Sequence, residues 1–139
     1  MCRKWLFYNL GDDKYRLSTT DHAGNMILSL LKRPPNNHKE GRPHNPENAF
    51  TVQITEFTSR YDGVVIDKRR ARRFDNWVAG MIKHELYTYV EAAQLYGQKI
   101  HRAIHDFLAK YDFTEDELTF STAKRMYYRK KSALEKKAG

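Results

Sequence analysis

The sequence predicts an α+β fold: a small antiparallel β-sheet with one short helix in the N-terminal half, followed by about three α-helices. Three observations point there. Residues 1–67 hold short runs rich in aromatic and β-branched side chains, separated by turn chemistry. Residues 34–48 (PPNNHKEGRPHNPEN) gather all four prolines of the chain. From residue 68 onward the apolar side chains return every three or four residues, the period of a helix face.

Taken in order, Arg3 to Leu10 (RKWLFYNL) reads as a strand. Leu6, Tyr8 and Leu10 would share its core face, and Trp5 and Phe7 the other. Gly11-Asp12-Asp13 supplies a turn, and Lys14 to Ser18 returns as the partner strand. Asp21 is the N-cap of a short helix running through Met26 to Leu31 and stopped by Pro34-Pro35. The 34–48 segment is a long exposed loop. Phe50, Val52 and Ile54 alternate with Thr51, Gln53 and Thr55, the pattern of a half-buried strand. Asp62-Gly63 is a turn signal before the short strand Val64 to Ile66.

In the second half, Phe74, Trp77, Val78, Met81, Ile82, Leu86, Tyr89 and Tyr96 fall within about half of a helical wheel. Arg69, Arg72 and Arg73 lie opposite, with Arg70 at the edge of the apolar arc. The helix starts either near Lys68, capped by Asp67, or near Asn76, capped by Asp75. Only the first start sets the arginines on a regular surface. Gly97 interrupts the helix, and a second follows from Gln98 with Ile100, Ala103, Ile104, Phe107, Leu108 and Tyr111 as its stripe. Thr114-Glu115-Asp116-Glu117 has the form of a capping box, and Ser121 is another cap for the final helix. The expectation is one domain over 1–139, mainly β over 1–67 and helical over 68–139 with a basic C-terminal tail.

Composition narrows the function classes. The chain of 139 residues is 40% hydrophobic and 13% aromatic, enough for a packed core, and carries a formal charge of +8. The charge is uneven: residues 1–66 hold nine Lys/Arg and seven Asp/Glu, whereas 67–139 hold sixteen and ten. Its single cysteine, Cys2, forms no internal disulfide, and no apolar run reaches membrane-spanning length. Both fit a cytoplasmic protein with no membrane partner. The sequence contains no phosphate-binding glycine loop and no G-x-S-x-G. Glu115, Asp116 and Glu117 read as a helix start rather than a nuclease cluster, and Glu56, Asp62 and Asp67 are scattered acids. His101 and His105 share a helix face but lack a third ligand within reach, so they read as surface histidines. No enzymatic activity, metal or cofactor is expected.

The positive charge gathers in two clusters. Ser121 to Lys137 (STAKRMYYRKKSALEKK) carries seven Lys/Arg against one acid, with two tyrosines among the cations. On a wheel, Ala123, Met126, Tyr127 and Leu134 form a packing side, interrupted by Lys130. Lys124, Arg125, Tyr128, Arg129 and Lys131 form the opposite side. Cations beside a ring suit a phosphate backbone and its bases; cations near a helix C-terminus also favour the macrodipole. The second cluster is Arg69, Arg70, Arg72 and Arg73, and arginine suits bidentate phosphate contact. Clustered cations near a helix N-terminus oppose the dipole, which points to a use for them.

These features point to a small nucleic-acid-binding protein, DNA ahead of RNA, of accessory or regulatory character such as a mobile element or bacteriophage encodes. The expected contacts are Arg69, Arg70, Arg72, Arg73, Lys124, Arg125, Tyr128, Arg129, Lys130 and Lys131. The alternative is an interaction module whose basic helices bind an acidic partner protein. If Trp5 and Phe7 stand exposed on a strand, they offer a stacking platform for RNA; the competing reading is that other elements cover them.

Glu91 to Tyr111 (EAAQLYGQKIHRAIHDFLAKY) also resembles a helix-turn-helix unit. Ala93 stands for the small residue of its first helix and Gly97 for the turn glycine. The segment departs from that pattern at Gln98, where an apolar residue is usual, and at Asp106, a position normally buried. The resemblance implies that His101, Arg102 and His105 face a DNA groove.

Overall fold

The computed structural model describes residues 1–11, 15–31, 52–54, 66 and 68–139. The loop 34–48, the turn at 62–63, the strand Val64 to Val65, the acids Glu56, Asp62 and Asp67, and most of the strand around Phe50 lie outside the described residues. The described residues are 73% helix. Five helices are present among them: α1 (Cys2–Leu10), α2 (His22–Leu30), α3 (Lys68–Leu95), α4 (Ile100–Lys110) and α5 (Phe120–Ala138). The only strands among the described residues are two-residue pieces, β1 (Tyr15–Arg16) and β2 (Val52–Gln53). They pair parallel, with Tyr15 opposite Val52 and Arg16 opposite Gln53.

The expected antiparallel sheet is therefore wrong in two places. The first error is α1. Trp5 and Leu6 are adjacent and both buried, at 6% and 4% exposure; neighbouring strand residues point to opposite faces, whereas a helix turns both inward. The Trp5 indole N–H donates to Glu85 at 2.8 Å, so the ring is covered and not a stacking platform. The second error is the hairpin. The chain between β1 and β2 carries α2, and a connection of that length lets two strands run in the same direction.

The described residues form two compact units, Met1–Trp5 with Val78–Gly139, and Leu6–Trp77. In the second, Leu6, Tyr15, Ala23, Ile27 and Leu30 are buried. Asp21 caps α2 as expected, accepting from the Gly24 amide at 2.6 Å. The same carboxylate accepts the Tyr15 hydroxyl at 2.7–2.8 Å, and burial together with Asp21 pushes that phenol up to about 12. Gly24 sits where a Cβ would lie 1.7 Å from the Ser18 carbonyl oxygen. Only glycine permits this approach.

The first unit is helical throughout its described length apart from turns. Val78, Ile82, Leu86 and Val90 recur every four residues on α3 and are fully buried. Most of the predicted arc holds, but Tyr96 is 92% exposed. Of the stripe read from sequence, Ala103, Ile104, Phe107 and Leu108 on α4 and Tyr111 at its C-cap are buried, while Ile100 at its start is half-buried. The α3–α4 turn is a Schellman motif: Gln98 N–H donates to Ala93 C=O at 3.0 Å and Gly97 N–H to Gln94 C=O at 2.9 Å. Gly97 takes the positive φ, +80°, that the motif requires.

Two half-buried polar nodes tie this unit together. Glu85 on α3 accepts from the indole of Trp5, from Lys110 at 3.0 Å and from the Tyr111 hydroxyl. Burial works to raise its carboxyl, and these donors outweigh it, holding the group below the usual range. Glu117 accepts Lys4 at 2.8 Å and the Thr114 amide at 3.1 Å, with the Met1 amino group at 3.2 Å. These donors outweigh burial and hold Glu117 at about 2. The Thr114–Glu117 capping contact forms, but around a single turn and not at a helix start.

Candidate nucleic-acid interface

Thr119, not Ser121, caps α5: its hydroxyl accepts from the Thr122 amide at 3.1 Å. The helix docks on one side through Ala123 and Tyr127, both fully buried. Tyr127 donates to Glu91 at 2.5 Å and accepts from Gln94 at 3.0 Å, and its ring stacks with Tyr87 at 5.9 Å. Burial and the neighbouring Glu91 raise its phenol. At the helix start, Phe120 lies parallel to His105 at 4.3 Å and edge-on to His101 at 5.6 Å.

The opposite side of α5 forms a shallow open hollow lined by Lys124, Arg125, Tyr128 and Arg129, and also by Ser121, Ser132, Ala133 and Lys136. These residues follow one another at helical spacing, so one helix presents them together. Arg125, Arg129 and Lys136 are exposed and Lys124 is half-buried. Among the described residues none of these four cations forms an ion pair. Tyr128 stands among them, 44% exposed. Its ring meets that of the buried Tyr127 edge-to-face, with centroids 5.0 Å apart.

The remaining expected residues fall elsewhere. Lys131 turns to the docked side, 3.6 Å from Glu91 and within 3.4 Å of the Tyr127 hydroxyl, which together raise its ammonium. Lys130 is half-buried, and neither residue lines the hollow. Beyond Lys131 every residue of α5 is exposed, Leu134 included at 38%, so docking ends there. Lys136, Ala133 and the two serines line the hollow without being among the expected contacts. A wheel carried three full turns past Arg125 places Lys136 on its side.

The arginine cluster opens α3, which starts at Lys68 with no acid in its first turn. Arg69, Arg72 and Arg73 are exposed. Arg70 is half-buried and donates to the carbonyls of Leu30 (2.8 Å) and Leu31 (3.0 Å) at the end of α2. It satisfies carbonyls that a helix end leaves open. Its place at the edge of the apolar arc in sequence matches this role.

In the 91–111 segment, the two departures from the helix-turn-helix pattern bond each other: Gln98 donates to Asp106 at 2.5 Å. Arg102 pairs with the same carboxylate at 3.3 Å. His101 and His105, expected at a groove, are exposed but flank Phe120. Among the described residues no group of three or more His, Cys, Asp or Glu is placed to hold a metal ion. No family model, curated protein or solved structure matches this chain.

Proposed function

We propose that the protein binds nucleic acid, with DNA the expected partner, through the hollow face of α5. The observation that carries this reading is the gathering of Lys124, Arg125, Arg129 and Lys136 around Tyr128 on one side of one helix. Cations without acidic partners retain their attraction for phosphate. The side chains opposite hold the helix to the body, so the face is presented on a fixed support. Arg69, Arg72 and Arg73 supply further phosphate contacts in this reading, while Arg70 serves α2.

The role is one of binding without catalysis, as in an accessory or regulatory protein of a mobile element or phage, acting in the cytoplasm. Among the described residues no helix is long and apolar enough to cross a membrane. The test is fluorescence anisotropy with a labelled generic duplex in low salt. Micromolar or tighter binding is expected, lost in Lys124→Glu/Arg125→Glu/Arg129→Glu. Absence of binding in low salt both to the duplex and to a single strand of equal length defeats the proposal, and an acidic protein partner is then the surviving use for the face.

A further inference from the structure

We infer that the α5 face is built for an unpaired DNA strand in preference to a duplex. This deepens the nucleic-acid reading and rests on it. A grip on phosphates alone needs cations only, yet the centre of the hollow is a tyrosine ring. Lys124 and Arg125 lie one turn before Tyr128, Arg129 follows it, and Ser132 lies one turn beyond. Arg125 and Arg129 are four residues apart, about 6 Å along the helix axis. That is the scale of one nucleotide step in an extended strand.

The ring is also held in advance. Tyr127, against which it packs at an interplanar angle of 68°, is fully buried and bonded through its hydroxyl to Glu91 and Gln94. A side chain already restrained loses little freedom when a ligand stacks on it. An unpaired base can lie on the exposed part of that ring while its flanking phosphates meet the arginines. A duplex keeps its bases stacked on one another, so it reaches the ring only by unstacking. Duplex binding then draws on the cations alone.

The experiment compares labelled oligo(dT), a duplex of equal length and an abasic strand of equal length, by anisotropy at one fixed low salt. The expected order is oligo(dT) tightest, with the abasic strand and the duplex weaker. Tyr128→Ala should weaken oligo(dT) binding by about 5- to 150-fold, the worth of one stacked base, and leave the abasic strand and duplex unchanged. Tyr128→Phe should retain the preference. An unchanged ratio of oligo(dT) to abasic affinity in Tyr128→Ala, with its circular dichroism intact, overturns the inference and leaves the nucleic-acid reading standing. Tighter binding of the duplex by the unaltered protein overturns it too. Binding to none of the three probes removes both.

Discussion

For the proposed nucleic-acid binding, the expected salt dependence follows from how many α5 cations are available to phosphate. Seven Lys/Arg occupy the tail, but Lys131 is engaged by Glu91 and Tyr127, and the hollow is lined by four: Lys124, Arg125, Arg129 and Lys136. Each phosphate contact contributes about 0.9 to the slope of log affinity against log salt on a duplex and about 0.7 on a single strand. Four contacts give slopes of about −3.6 and −2.8. A fourfold rise in monovalent salt then weakens duplex binding about 150-fold and single-strand binding about 50-fold. Arg125→Gln/Arg129→Gln should flatten the duplex slope by about 1.8. Lys131→Gln should leave it unchanged, because that ammonium faces Glu91. If Arg69, Arg72 and Arg73 meet the same duplex, the slope steepens to about −6.3, and their replacement restores the smaller value. Anisotropy titrations over a salt series measure all of these. A slope near zero, or one indifferent to Arg125 and Arg129, refutes the assignment of the face.

Other outcomes test the scaffold. Gly24→Ala drives a methyl group into the Ser18 carbonyl, so a loss of about 3 kcal/mol or more is expected despite alanine's better helix propensity; an unchanged thermal midpoint contradicts the close approach. Glu85→Ala removes the acceptor shared by Trp5, Tyr111 and Lys110 and should cost about 2–4 kcal/mol in urea unfolding, with Glu85→Gln costing less. Equal losses in the two variants would show that the acceptor is not what matters. Glu117 is depressed to about 2, so its contribution is present above the ordinary carboxylate range and fades as pH falls toward that value. Glu117→Gln should therefore flatten the acid limb of a stability–pH curve, and an unaltered limb counts against the Lys4 pairing.

The helices of the second half are legible in the sequence because their stripes are long and strictly periodic. Val78, Ile82 and Leu86 repeat at four residues, and the α4 stripe is bounded by a glycine turn. Asp21 announces α2 by a local bond that needs no tertiary partner. The first half misleads for the opposite reason. RKWLFYNL carries aromatic residues that suit a strand, and only the distant Glu85 and a covered indole show it to be a helix. The direction of β1 against β2 depends on a partner thirty-seven positions away, which no local pattern reports.

For the candidate site the division is similar. The sequence by itself determined that positive charge concentrates at Arg69–Arg73 and in the last helix, and that Lys124, Arg125, Tyr128 and Arg129 share a side of it, since composition and helical spacing are local properties. Only the tertiary structure decided which cations are engaged within the protein and which line the hollow. Lys131 is taken by Glu91 on α3, and Arg70 by the end of α2, through partners forty and thirty-nine positions away along the chain. Charge is written residue by residue, but its availability is set by whatever the fold brings within hydrogen-bonding distance.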